Sequence, residues 1–158
     1  MYTTEKASFL KHQLPALLAT LEPQVTGQWG KMKAQHMVEH LAGAIRMAAG
    51  QFKVQPLVQG ERLEKNYRFL MSDKPFAPNI ENPLLDAEPG AFRYATMPEA
   101  VAAVQRALQL FFEYYQQNPE ARVLNPFFGE LNYEEQVHLL YKHALHHLKQ
   151  FGIAPAEL

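Results

Sequence analysis

The stretch Tyr133–Phe151, YEEQVHLLYKHALHHLKQF, decides how this chain is read. An α-helix turns by roughly 100° per residue. With His143 set at zero, Leu140, Phe151, Tyr133, Ala144, Val137 and Leu148 fall in a stripe from about 60° to 140°, an apolar face of helical width. His147 lies at about 40°, against the edge of that stripe, and His143 just beyond it. His146 lies at about 300°, in a sector with Glu135, with Lys142 and Lys149 a little further round. The segment therefore reads as a helix with a core face, a histidine edge and a wet side. His143 and His147 are an i, i+4 pair, their Cβ atoms about 5–6 Å apart, and both can point at a neighbouring helix. His146 is expected in solvent or at a subunit contact.

A second stretch, GQWGKMKAQHMVEHLAGAIRMAAG from Gly27, carries a matching edge. Gly27 and Gly30 punctuate its start, and the spacing predicts a helix from Lys33 to Ala49, stopped by Gly50. With His40 at zero, Ala44, Met37, Ala48, Leu41, Ala34, Ile45 and Val38 fill about 40° to 160°. His40 thus borders its own core stripe as His143 does, with His36 one turn earlier and further out. Facing helices bring such edges together. Two imidazoles from one helix and one from another can hold a metal ion at about 2.0–2.1 Å. Three protein ligands leave a coordination position open, which suits a catalytic or ligand-binding site. A fourth ligand, for which His36 is the candidate, would instead close a structural site. Hydrogen-bonded histidines at a core edge are the plainer alternative.

HMVEH, His36 to His40, also matches the H-x-x-E-H string of inverted zinc peptidases. In that alternative His36 and His40 bind zinc and Glu39 is the general base. The string specifies only three letters, and Glu39 lies about 100° round the helix from His40.

Composition narrows the function classes. A chain of 158 residues is long enough for one domain with its own core. A net charge of −1 offers no basic footprint for nucleic acid and no polybasic membrane anchor. With no cysteine there is no disulfide, thiolate metal site or cysteine nucleophile, so any thiol chemistry needs a small-molecule thiol. MYTTEKASFLKHQ lacks the pattern of a signal peptide, and no apolar run approaches the roughly 18 residues of a membrane span. A cytoplasmic protein is expected.

The remaining segments are read as helices and loops. TTEKASFLKHQLPALLATL has helical spacing interrupted by Pro15, which predicts one short helix ending near Gln13 and another starting at Pro15. ERLEKNYRFLMSD is a shorter helix. Lys74 to Ala95 carries Pro75, Pro78, Pro83 and Pro89 without periodicity, a long crossover whose part from Lys74 to Pro89 is either a lid or an ordinary connection. Thr96 with Glu99 forms a capping box for the helix MPEAVAAVQRALQLFFEYYQQ. NPEARVLNPFFGEL is a turn-rich connection. Asn132 caps the last helix, Glu134 and Glu135 suit its positive end, and Gly152 followed by Pro155 ends it. No segment shows period-two alternation, so an all-α fold is expected.

WGKMKAQHMVEHLAG, followed much later by NPFFGELNYEEQVHLLYKHALHHLKQFG, resembles the DinB/YfiT-like superfamily, in an uncharacterised bacterial branch. The resemblance covers the whole helical frame and implies a four-helix bundle with a long crossover and a short extra helix. It implies a divalent metal ion, zinc or nickel foremost, held by residues in the positions of His40, His143 and His147. It also implies a homodimer and a small-molecule substrate. Members of the superfamily include transferases and isomerases that use low-molecular-weight thiols, and others similar to metal-dependent hydrolases. A non-catalytic metal- or ligand-binding stress-response module is the rival expectation. Asn125 departs from the pattern, because relatives often carry histidine before PFFG. Glu39, Glu64 and Glu130 are candidates to support the metal ligands, though a surface or capping role is equally open to each. Trp29, Phe127 and Phe128 either line a pocket or pack in the core.

Overall fold

The computed structural model describes residues 3–80, 82–85 and 87–155. The chain is mostly helical, with one small two-stranded sheet. In chain order the elements are α1 (Thr3–Ser8), a π-helical turn (Phe9–Gln13), α2 (Leu14–Leu18), α3 (Ala34–Ala48), α4 (Gly60–Met71), α5 (Met97–Gln117), β1 (Val123–Asn125), β2 (Gly129–Leu131) and α6 (Tyr133–Gln150).

The N-terminal segment does not break at Pro15. Proline lacks an N–H and its ring crowds the carbonyl four residues earlier. Here the turn before it widens: Leu14 N–H donates to the Phe9 carbonyl, and helix continues on both sides. The π turn absorbs the extra residue and keeps Phe9, Leu10, Leu14 and Leu18 buried on one side.

The long helices end where their caps place them. Gly50, at φ 71°, follows α3. Thr96 Oγ1 accepts from Glu99 N–H at 3.3 Å, while the Glu99 carboxylate reaches Ala95 N–H rather than the cap residue's own. Asn132 and Glu135 exchange both bonds of a capping box at the start of α6. Gly152, at φ 77°, closes α6.

Apolar stripes build one main core. Met37, Val38, Leu41 and Ile45 of α3 meet Val101, Val104, Leu108 and Phe111 of α5, with Val137, Leu140, Ala144 and Leu148 of α6. The α3–α5 contact is the most extensive, and α6 packs on α1, α3 and α4. Burial of these stripes, at about 25 cal/mol per Å² of apolar surface, is the main force assembling the helices.

Two features differ from the sequence reading. The connection before α6 contains a hairpin in the register Val123↔Leu131, Leu124↔Glu130, Asn125↔Gly129. Its strands of three residues are too short to display a period of two. The Asn125 side chain accepts from Phe127 N–H at 2.9 Å, and Gly129 takes φ 86° to close the loop. Asn125 therefore serves the turn.

Second, most of the side of α6 expected to be wet is covered, although Lys149 stays exposed. Glu135 and Lys142 are buried and His146 is half-buried. The cover is α4 with the residues after it. Lys142 Nζ donates to the carbonyls of Phe69, Leu70 and Ser72 at 3.1, 3.2 and 3.1 Å. An ammonium there satisfies the last carbonyls of α4 and meets the negative end of its dipole. His138 donates from Nε2 to the Leu70 carbonyl at 2.6 Å, which leaves its Nδ1 to accept from Lys6 Nζ at 2.7 Å. Angular position alone could not show this, because the covering helix comes from a distant part of the sequence.

The irregular stretch between α4 and α5 includes Glu81 and Asp86, which lie outside the described residues. Its far end is fastened to α3. Glu39 accepts from the N–H groups of Arg93 and Tyr94, Gln35 Nε2 donates to the Tyr94 carbonyl at 2.7 Å, and His36 Nε2 to that of Gly90 at 2.6 Å. No helix of the described residues is long and apolar enough to cross a membrane.

Candidate metal centre

α3 delivers His40 and α6 delivers His143 and His147 to one point. His40 Nε2 lies 3.0 Å from His143 Nε2, and His147 Nε2 lies 2.9 Å from the same atom. Among the described residues these three are the histidines and carboxylates grouped closely enough to hold a metal ion, all donor atoms lying within 4.8 Å of one another. His147 is buried; His40 and His143 are partly exposed. The edge positions read from the helical angles thus come together across the α3–α6 contact.

One tautomer is fixed by packing. His147 Nδ1 lies 2.7 Å from Gln150 Oε1, and Gln150 Nε2 donates to the Trp29 carbonyl at 2.9 Å. The amide thus presents its oxygen to His147, so Nδ1 carries the proton and Nε2 turns a lone pair inward. Gly27 and Gly30 make room for this contact. A Cβ on Gly27 would stand 2.9 Å from Gln150 Cγ, and one on Gly30 would stand 3.0 Å from Gln150 Nε2. The main chain adds a bond from Gln28 N–H to the Gln150 carbonyl at 2.7 Å.

Burial, followed by its neighbour His146, pushes the His40 pKa down to about 4. Burial, followed by His40, pushes that of His147 to about 3. His143 is lowered well below its ordinary value by burial, then by His147 and His40. All three are neutral at physiological pH, the form that ligates metal.

The donor set fits a divalent ion. His143 Nε2 faces two other ring nitrogens at contact distance, and at most one of those contacts can hold a shared proton. A cation satisfies all three lone pairs. A tetrahedral ion with bonds of 2.0–2.1 Å separates its donors by about 3.4 Å. The two short edges accept one by parting a few tenths of an ångström.

His146 is not out in solvent. It is half-buried between the Trp29 ring at 5.4 Å and the Phe76 ring at 6.2 Å. Phe76 also lies 6.5 Å from His143, and it packs on Phe69 and on Phe128 of the hairpin. Trp29 thus packs on His146 beside the centre and Phe128 on Phe76, whereas Phe127 uses its carbonyl to accept from Asn66.

The other candidates stand elsewhere. His36 accepts from Lys33 N–H through Nδ1 and bonds Gly90 through Nε2, so both ring nitrogens are in use. Glu39 binds backbone amides of the crossover. Glu64 and Glu130 border a groove beside the hairpin. The supporting residue that sequence reasoning missed is Gln150. Its position three residues after His147, on the same face of α6, was the available signal.

Compared with protein-family models, with curated proteins and with solved structures, the chain matches none.

Proposed function

We propose that His40, His143 and His147 bind one divalent metal ion, zinc or nickel foremost, and that the chain is a metal-dependent enzyme of the DinB/YfiT-like kind. The observation that carries this reading is the convergence of three Nε2 atoms, one of them oriented by Gln150. On this reading α1–α2, α3, α5 and α6 are the four helices of a DinB-like bundle, α4 the extra helix and 72–96 the long crossover. The contacts of α1 with α6, α2 with α5, and α3 with both α5 and α6 support it.

A bound ion would supply Lewis acidity, lowering the pKa of a water or small-molecule thiol into the neutral range. The chain supplies the rest. Three neutral imidazoles leave the ion's charge uncompensated, so the site favours an anionic ligand such as hydroxide or thiolate. Gln150 holds His147 in its ligating tautomer. Phe76 and Trp29 exclude water from one flank, while the partly exposed His40 and His143 mark the approach. The reaction classes are hydrolysis and transfer to a low-molecular-weight thiol.

The second reading is a metal- or ligand-binding module without turnover. It is favoured by the neighbours of the centre: Phe76, Trp29 and Gln150 carry no ionisable group, and His146 is packed between the Trp29 and Phe76 rings. The peptidase reading gains no support from this geometry. Metal-loaded protein assayed against ester substrates, and against electrophiles with an added thiol, separates the first two readings. Turnover lost in His143→Ala supports the enzyme, and binding without turnover supports the module. Loss of metal in His36→Ala with His143→Ala unaffected would restore the peptidase.

A further inference from the structure

On a different face, α3, α5 and the end of the crossover enclose a groove of about 240 Å³. Arg46, Arg93 and Arg106 line it, with Gly43, Ala103 and Ala107 among its small residues. Each arginine comes from a different segment: Arg46 from α3, Arg106 from α5, Arg93 from the crossover. Among the described residues none of the three guanidinium groups forms an ion pair. The one carboxylate in the groove, Glu39, already accepts from the N–H groups of Arg93 and Tyr94 and from Gln35 Nε2. The groove therefore carries an excess of two positive charges. The larger groove beside the hairpin balances Arg68 and Arg122 against Glu64 and Glu130.

Gly43 gives a second, independent indication. It lies inside α3, where glycine is a poorer helix former than alanine. A Cβ there would meet nothing within 4 Å. Packing does not require the glycine, and its lack of a side chain leaves open space where it lines the groove.

We propose that this groove binds a small-molecule oxyanion bearing at least two negative charges, a phosphate ester or a polycarboxylate. Guanidinium groups match such oxygens with paired, charge-assisted hydrogen bonds. Glu39 acts as a positioning residue, holding the backbone of Arg93 at the rim.

The test is calorimetric titration of the full chain with inorganic pyrophosphate and with citrate, at low and at physiological salt. Saturable binding of either is expected, and the preferred anion assigns the class. In Arg93→Ala/Arg106→Ala the affinity should fall at least about tenfold. Gly43→Leu, which fills the space while keeping the charges, should also weaken binding. Arg62→Ala/Lys65→Ala removes equal charge from exposed positions of α4 and should change little. No binding up to about 10 mM of either anion, or equal weakening in the α4 control, would overturn the proposal.

Discussion

The Nδ1 atom of His147 lies 2.7 Å from Oε1 of Gln150, and that contact sets which ring nitrogen faces His143. Partners of this kind commonly shift metal affinity by about 10–100-fold. Gln150→Leu should weaken metal binding by that factor while leaving the helical content unchanged. Chelator competition on the folded variant measures it. An unchanged affinity would show that His147 needs no orienting partner.

Acid should destabilise the metal-free protein. The His147 pKa drops from an ordinary 6.5 to about 3 on folding, and that of His40 to about 4. Between these values and 6.5 the unfolded chain binds protons that the native state does not. Stability is therefore unaffected above about pH 7 and falls as pH decreases through 6.5 towards 4. For buried His147 alone the loss reaches about 2 kcal/mol at pH 5. Urea denaturation of metal-free protein at pH 7.5 and 5 gives the comparison, and His147→Ala should flatten the profile.

Lys142 is buried with its ammonium on three carbonyls at the end of α4. Lys142→Met keeps much of the stem but leaves those carbonyls without this donor. A cost of about 1–3 kcal/mol is expected, read from chemical denaturation. Faster amide exchange confined to α4 and the following residues would localise the effect.

Gly43→Ala should raise stability by roughly 0.5–1 kcal/mol, because the added Cβ enters open space. Thermal denaturation measures this. A lower melting temperature would mean that α3 needs glycine for packing.

Sequence and structure agree where the signal is local. Gly50, Thr96, Asn132 and Gly152 mark helix ends because capping is a matter of neighbouring residues. His40, His143 and His147 were legible because edge positions on two amphipathic helices share one geometry. What escaped depends on partners far along the chain. The burial of Lys142 follows from the end of α4, about seventy residues earlier. His146 is covered by Trp29 and Phe76, neither of which lies on α6. The π turn before Pro15 rests on a choice between breaking and widening a helix, which the packing of Phe9 and Leu10 decides.

The central claim, that three histidines bind one metal ion, is tested most directly by elemental mass spectrometry on untagged protein, beside the His143→Ala/His147→Ala variant. About one tightly held divalent ion per chain is expected, lost in the variant while its helical spectrum persists. A full equivalent of metal retained by the variant, or none in the parent after reconstitution with zinc and with nickel, would contradict it.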